Sequence, residues 1–70
     1  MIYSKEHKRL IAQIKKARLL AGLTQLEASK SLHKTQSFIS KIESGQIRID
    51  VVILKNIAKI YQQPIIFFTE

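Results

Sequence analysis

The sequence predicts an all-α fold, and three observations carry that prediction. Apolar residues recur at three- and four-residue intervals, and no stretch alternates apolar with polar as a half-buried strand would. Thr24, Thr35 and Asp50 stand immediately before such stretches, where helix caps belong. The two glycines and the one proline fall between the stretches rather than inside them. The 70 residues are expected to form one domain, 1–70, near the size at which a single core is barely sufficient. There is no cysteine and no metal-ligand spacing, so packed helices, helped by self-association, must supply the stability.

The first helix is predicted over about 5–21. Leu10, Ile14, Ala17 and Ala21 form its apolar stripe, Ile11 and Leu20 widen it, and Lys5, Lys8, Lys15 and Lys16 remain in water. Gly22 suits the left-handed position past a helix end, with Leu23 folding back over the last turn. Thr24-Gln25-Leu26-Glu27 reads as a capping box for a second helix, about 25–32, too short to stand alone. Leu32-His33-Lys34 leaves room only for a tight turn before the Thr35 cap and a third helix, about 36–44, stopped near Gly45. Two short helices joined by about three residues match a helix-turn-helix unit.

Asp50 caps a fourth helix, about 50–61, with Ile49 and Leu54 placed for a hydrophobic staple. Val52, Ile53, Leu54, Ile57, Ala58, Ile60 and Tyr61 leave it little polar surface, so it is expected to be the buried floor of the domain. Pro64 redirects the chain. The tail Ile65-Ile66-Phe67-Phe68 is either a last helical turn closing the core, about 64–68, or an extended interface segment; the need of a small core for aromatics favours the helix.

Charge narrows the partners. Twelve Lys and Arg oppose five acids, for a formal charge of +7 and a pI of about 10.1, and ten of the twelve cations precede residue 49. Such an excess favours a polyanion through counterion release. An anionic membrane would serve charge equally well, but the basic residues are spread over several helices and loops. No apolar run is long enough to span a bilayer and no cleavable leader pattern opens the chain. A soluble cytoplasmic protein without membrane association is expected.

The third helix is the most informative stretch. At about 100° per residue, Gln36, Ser37, Ser40, Lys41 and Ser44 share an arc of roughly 140°. Phe38, Ile39 and Ile42 lie opposite, with Glu43 at their edge. One half is a core wedge; the other is a hydrogen-bonding array with one cation and no acid, suited to base edges and phosphates in a major groove. A solvated surface helix would show the same pattern, and the segment alone leaves both readings open.

Taken together, Arg18, Ala21-Gly22-Leu23-Thr24-Gln25, the stretch from Thr35 to Gly45, and Arg48-Ile49-Asp50-Val51-Val52 resemble the phage-repressor (Cro-like, xenobiotic-response-element) helix-turn-helix family. The resemblance covers about residues 9 to 68, in three blocks at the family's spacing. It implies a compact five-helix lambda-repressor-like domain in which helices two and three read DNA. It further implies that Gln25 bonds a phosphate, that Gln36, Ser37 and Lys41 face base edges, and that Ser44 and the loop with Arg48 touch the backbone. Ser40 joins the base-facing group, with a reach set by docking depth. Lys34, Thr35 and Gln46 join the backbone-contacting group. Gln36 is the best base reader, since its amide can bond adenine bidentately, with a phosphate or water contact as its alternative. Lys41 has guanine or a phosphate open to it.

Glu43 is at odds with a polyanion, and the resemblance implies that it pairs with Arg18 and locks helix one to helix three; two solvated charges are the alternative. The chain departs from many relatives in carrying His33 where they have Gly and Ala28 where they have a large aliphatic. His33 must then accept a left-handed backbone, and Leu26 or Phe38 must fill the space beside Ala28. Neither His33 nor His7 has a second ligand or nucleophile spaced to join it, so no catalysis, cofactor or metal is expected.

The leading expectation is a sequence-specific regulator of transcription, repressor-like, binding double-stranded DNA as a homodimer on a palindromic or direct-repeat operator. The alternative is a protein-interaction module, such as an antitoxin neutralising a partner protein, although the chain has almost no room for a wrapping segment. A ligand-sensing domain is not expected.

Overall fold

Ser4, Thr24, Thr35 and Asp50 each accept a hydrogen bond from an amide three residues on, those of His7, Glu27, Phe38 and Ile53, at 3.1, 3.1, 3.1 and 2.8 Å. A side-chain oxygen at this position satisfies an amide that the helix itself leaves unpaired. Each of these residues therefore opens a helix. In the computed structural model, which describes residues 4–70, the helices are α1 (Lys5–Leu20), α2 (Gln25–Ser31), α3 (Gln36–Glu43), α4 (Val51–Ile60) and α5 (Ile66–Thr69). The described residues contain no strand, and the fold is all-α.

The first four helices end alike. Gly22, His33, Gly45 and Gln62 adopt φ of 75°, 57°, 80° and 60°. The residue after each returns its amide to a carbonyl five residues back: Leu23 to Arg18, Lys34 to Ser29, Gln46 to Lys41 and Gln63 to Ala58, at 2.8–3.1 Å. This is the Schellman stop, and it fits between neighbouring helices without a longer loop. Ala21, Leu32, Ser44 and Tyr61 are the C-caps, so each of these helices closes one residue short of the expected span. The tail resolves as a helix, starting at Ile66 rather than Pro64. The Pro64 carbonyl accepts from Phe67 at 3.0 Å and so belongs to the entry to the turn.

Ile14 and Ala17 of α1, Ala28 of α2, Ile42 of α3, Ile57 and Ala58 of α4 with its C-cap Tyr61, and Phe68 of α5 make the core cluster. α1 packs against α3 and α5, and α2 against α3. Two apolar expectations are corrected. Leu20 does not widen the buried stripe and is 62% exposed. It sits about 90° around α1 from the line of Ile14, Ala17 and Ala21. Val52 does not belong to a buried floor and is 66% exposed, because it projects from the side of α4 opposite Ile57 and Tyr61. Being apolar on most of its surface did not bury α4 on most of its surface. Beside Ala28, which is fully buried, Leu26 remains 48% exposed while Phe38 packs onto the cluster, so of the two it is Phe38 that turns inward.

Candidate nucleic-acid interface

The local sequence of α3 sorts its side chains into two sets. Ile39 and Ile42 are each 1% exposed and Phe38 is half-buried, so one side of the helix is committed to the core. Gln36, Ser37, Ser40 and Lys41 are exposed together on the other side, with Thr35 before them and Ser44 after them. No carboxylate stands among them. An array of amide, hydroxyl and ammonium groups offers donors to phosphate oxygens and both donors and acceptors to base edges.

The α3 exit is tied as tightly as its entry. The Gln46 side-chain amide donates to Ser44 Oγ at 2.8 Å, and Ser44 Oγ donates to the Lys41 carbonyl at 3.3 Å. Ser44 and Gln46 are thus linked on the surface directly behind Lys41. Arg48 is exposed beyond them and borders a shallow cleft with His7, Ile49 and Asp50. At the entry, Lys34 carries its ammonium 5.3 Å from the centre of the Phe38 ring, a distance at which the ring face attracts a cation.

Beneath this surface lies a charged knot. Arg18 Nε donates to Glu43 Oε2 at 2.6 Å and Nη2 to Oε1 at 3.1 Å, while Nη1 donates to the Leu23 carbonyl at 2.8 Å. The two side chains are 8% and 5% exposed. Glu43 holds the guanidinium above its usual pKa against the opposing effect of burial, so the cation is secure. The pair joins α1 to α3 and neutralises the acid nearest the polar array. Gln25 enters the same knot: its Nε2 donates to Glu43 Oε1 at 3.1 Å. That link brings the start of α2 to the end of α3. The residues are eighteen positions apart, and nothing in their local sequence announces the bond. The capping box of α2 is complete, with the Thr24 amide donating to Glu27 at 2.8 Å; this hydrogen bond, then the Thr24 hydroxyl, lowers the Glu27 pKa.

Of the residues singled out in the sequence, the structure gathers Gln36, Ser37, Ser40, Lys41 and Ser44 on one helix side and sets Lys34, Thr35, Gln46 and Arg48 at its two ends. Gln25 is half-buried and already engaged through one N–H. A family model described as helix-turn-helix matches residues 14–68. The chain belongs to the helix-turn-helix family of the Cro/C1 type. No curated protein and no solved structure matches it. The helix-turn-helix is α2, the His33 turn and α3, and the family is one of DNA-binding domains rather than enzymes. Among the described residues of this helix-turn-helix protein, no helix is long and apolar enough to cross a membrane.

Proposed function

We propose that this helix-turn-helix protein is a sequence-specific regulator of transcription, repressor-like, acting in the cytoplasm on double-stranded DNA with α3 in the major groove. The acid-free array on α3, held from behind by Ile39 and Ile42, is the observation that carries the reading. Gln36, Ser37, Ser40 and Lys41 address base edges. Lys34, Thr35, Ser44, Gln46 and Arg48 hold the phosphates on either side, as does the second N–H of the Gln25 amide. Base contacts then specify and backbone contacts position.

Size supports a dimer. The longest dimension is 28 Å, shorter than the roughly 34–36 Å between half-sites one turn apart. A single copy therefore presents one recognition helix to one groove, and two half-sites call for two copies. Occupying a promoter in this way blocks polymerase.

Selection of bound sequences from a random duplex library tests the proposal. A defined motif with two half-sites about one turn apart is the expected result. Lys41→Ala should weaken that motif more than random DNA. Recovery of no motif, or a Lys41→Ala protein with unchanged preference, would remove the base-reading assignment.

A further inference from the structure

A second surface of the molecule has the character of a polyanion site, and it is not on the helix-turn-helix. Along α1, Lys5, Lys8, Lys15 and Lys16 are all exposed, with the small, exposed Ala12 between the two pairs. At about 100° per residue these lysines fall within an arc of roughly 100°. No carboxylate lies on that arc, and among the described residues none of the four lysines is in an ion pair or hydrogen-bonded through its ammonium. Lys5 and Lys8 are one turn apart, where like charges repel along a helix. No acid stands on that arc to offset the repulsion.

The direction of the stripe separates it from the α3 array. Its centre is about 180° around α1 from the midpoint of Ile14 and Ala17, which face the core. It is also about 110° from Arg18, the α1 residue bonded to α3. The stripe thus points away from the core, and its centre is turned more than a right angle from the α1 side chain that bonds α3.

We infer that the outer face of α1 is a sequence-independent binding site for the phosphate backbone of a second DNA segment, so that one protein holds two duplexes. Charge complementarity commits the stripe to this occupant. The sixteen residues of α1 extend about 24 Å, alongside which a duplex carries about fourteen phosphate charges. Flexible lysines bind such a row as point charges, without requiring base contacts. A membrane helix needs a broad apolar face to bury. Here the side of α1 opposite the lysines is occupied by the core, and Leu19 is the one large apolar residue on the lysine arc. The inference does not depend on which bases α3 reads.

The test uses the whole chain. A duplex bearing the selected site is immobilised and saturated with protein, and a labelled random duplex lacking that site is then added. The wild type should capture the second duplex. A protein carrying Lys5→Gln, Lys8→Gln, Lys15→Gln and Lys16→Gln should hold the first duplex and lose the second. The same four positions changed to Arg should restore capture, separating charge from fold; circular dichroism checks the helices of both. On random duplex alone, the Gln protein should show a slope of log affinity against log salt shallower by about 3 to 4, four phosphate contacts at about 0.9 each. This arm needs no selected site, so it stands even if α3 recognises no motif. Absence of capture by the wild type overturns the inference. So does undiminished capture by the folded Gln protein, the result expected if a dimer presents its other α3 to the second duplex. Lysine-dependent retention on phosphatidylserine vesicles without capture of the second duplex overturns it in favour of a membrane.

Discussion

Gln36 and Arg48 are both exposed and polar, and the proposed interface gives them different contacts. Gln36 lies on the α3 array, whereas Arg48 lies past its end on an irregular segment. Gln36→Ala should lower affinity for the selected site by about 1–3 kcal/mol while leaving random DNA nearly unaffected. Arg48→Ala should weaken both alike and reduce the salt slope by about one contact. Titrations of both variants at several salt concentrations distinguish these patterns; identical behaviour would merge the two roles. Tyr61 makes a different kind of prediction. The residue is 1% exposed, and burial, then the charge of Glu43, pushes its pKa up to about 12 from 10.0 while Arg18 opposes. The neutral phenol is thereby favoured in the folded state. Its contribution is complete below about pH 10 and is lost as pH rises toward 12, by up to about 3 kcal/mol. Urea unfolding of Tyr61→Phe beside the wild type should show that alkaline decline in the wild type alone. Parallel curves would exclude Tyr61 as its source.

At the scale of the elements, the same helix stop is built four times, twice on glycine and twice on a residue with a Cβ. Gly22 and Gly45 occupy left-handed positions without penalty, but His33 and Gln62 do so with a Cβ. An L-residue there is disfavoured by about 1–2 kcal/mol, partly offset because glycine loses about 0.5–1 kcal/mol more entropy on folding. His33→Gly should therefore raise stability by somewhat under about 1 kcal/mol. Gly22→Ala should lower it by a similar amount. No atom lies within 4 Å of a Cβ placed at Gly22, so the effect there comes from the backbone alone. Denaturant midpoints of the two proteins should shift in opposite directions, and shifts of the same sign would contradict the argument. Because the His33 stop sets where α3 leaves α2, its exchange is also a sensitive position for affinity.

For the molecule as a whole, the Arg18–Glu43 pair is the main polar tie between α1 and α3. Glu43→Ala leaves the guanidinium buried with the Leu23 carbonyl as its remaining partner. Breaking such a pair is destabilising by about 3–5 kcal/mol, a large share of the roughly 5–15 kcal/mol that holds a domain together. Replacing both partners by apolar residues, Arg18→Met with Glu43→Leu, should recover most of that loss. Chemical unfolding of the single and double variants tests this, and a single-variant loss under about 1 kcal/mol would show the pair to be as weak as a surface one. Near DNA the pair has a second consequence. An acid at the rim of the α3 array is acceptable beside phosphate because its charge is already matched.

Much of this was legible from local sequence, for a physical reason. Caps, glycines and helical periodicity act within one or two turns. Thr24, Thr35 and Asp50 thus marked the starts of three helices, and the polar side of α3 could be read before any neighbour was placed. Long-range and neighbour-dependent features were not legible. Leu20 and Val52 are as apolar as residues that became core, and only the positions of other helices decided that they face water. Gln62 carries no sign of a left-handed stop. The Gln25 link to Glu43 spans eighteen positions. The sequence by itself determined which helices form and which side of α3 is polar, because those choices depend on bonds and side chains a few residues apart. Tertiary structure alone decided which apolar sides were covered and how Gln25 joins the buried ion pair. These depend on how the helices pack against one another in space.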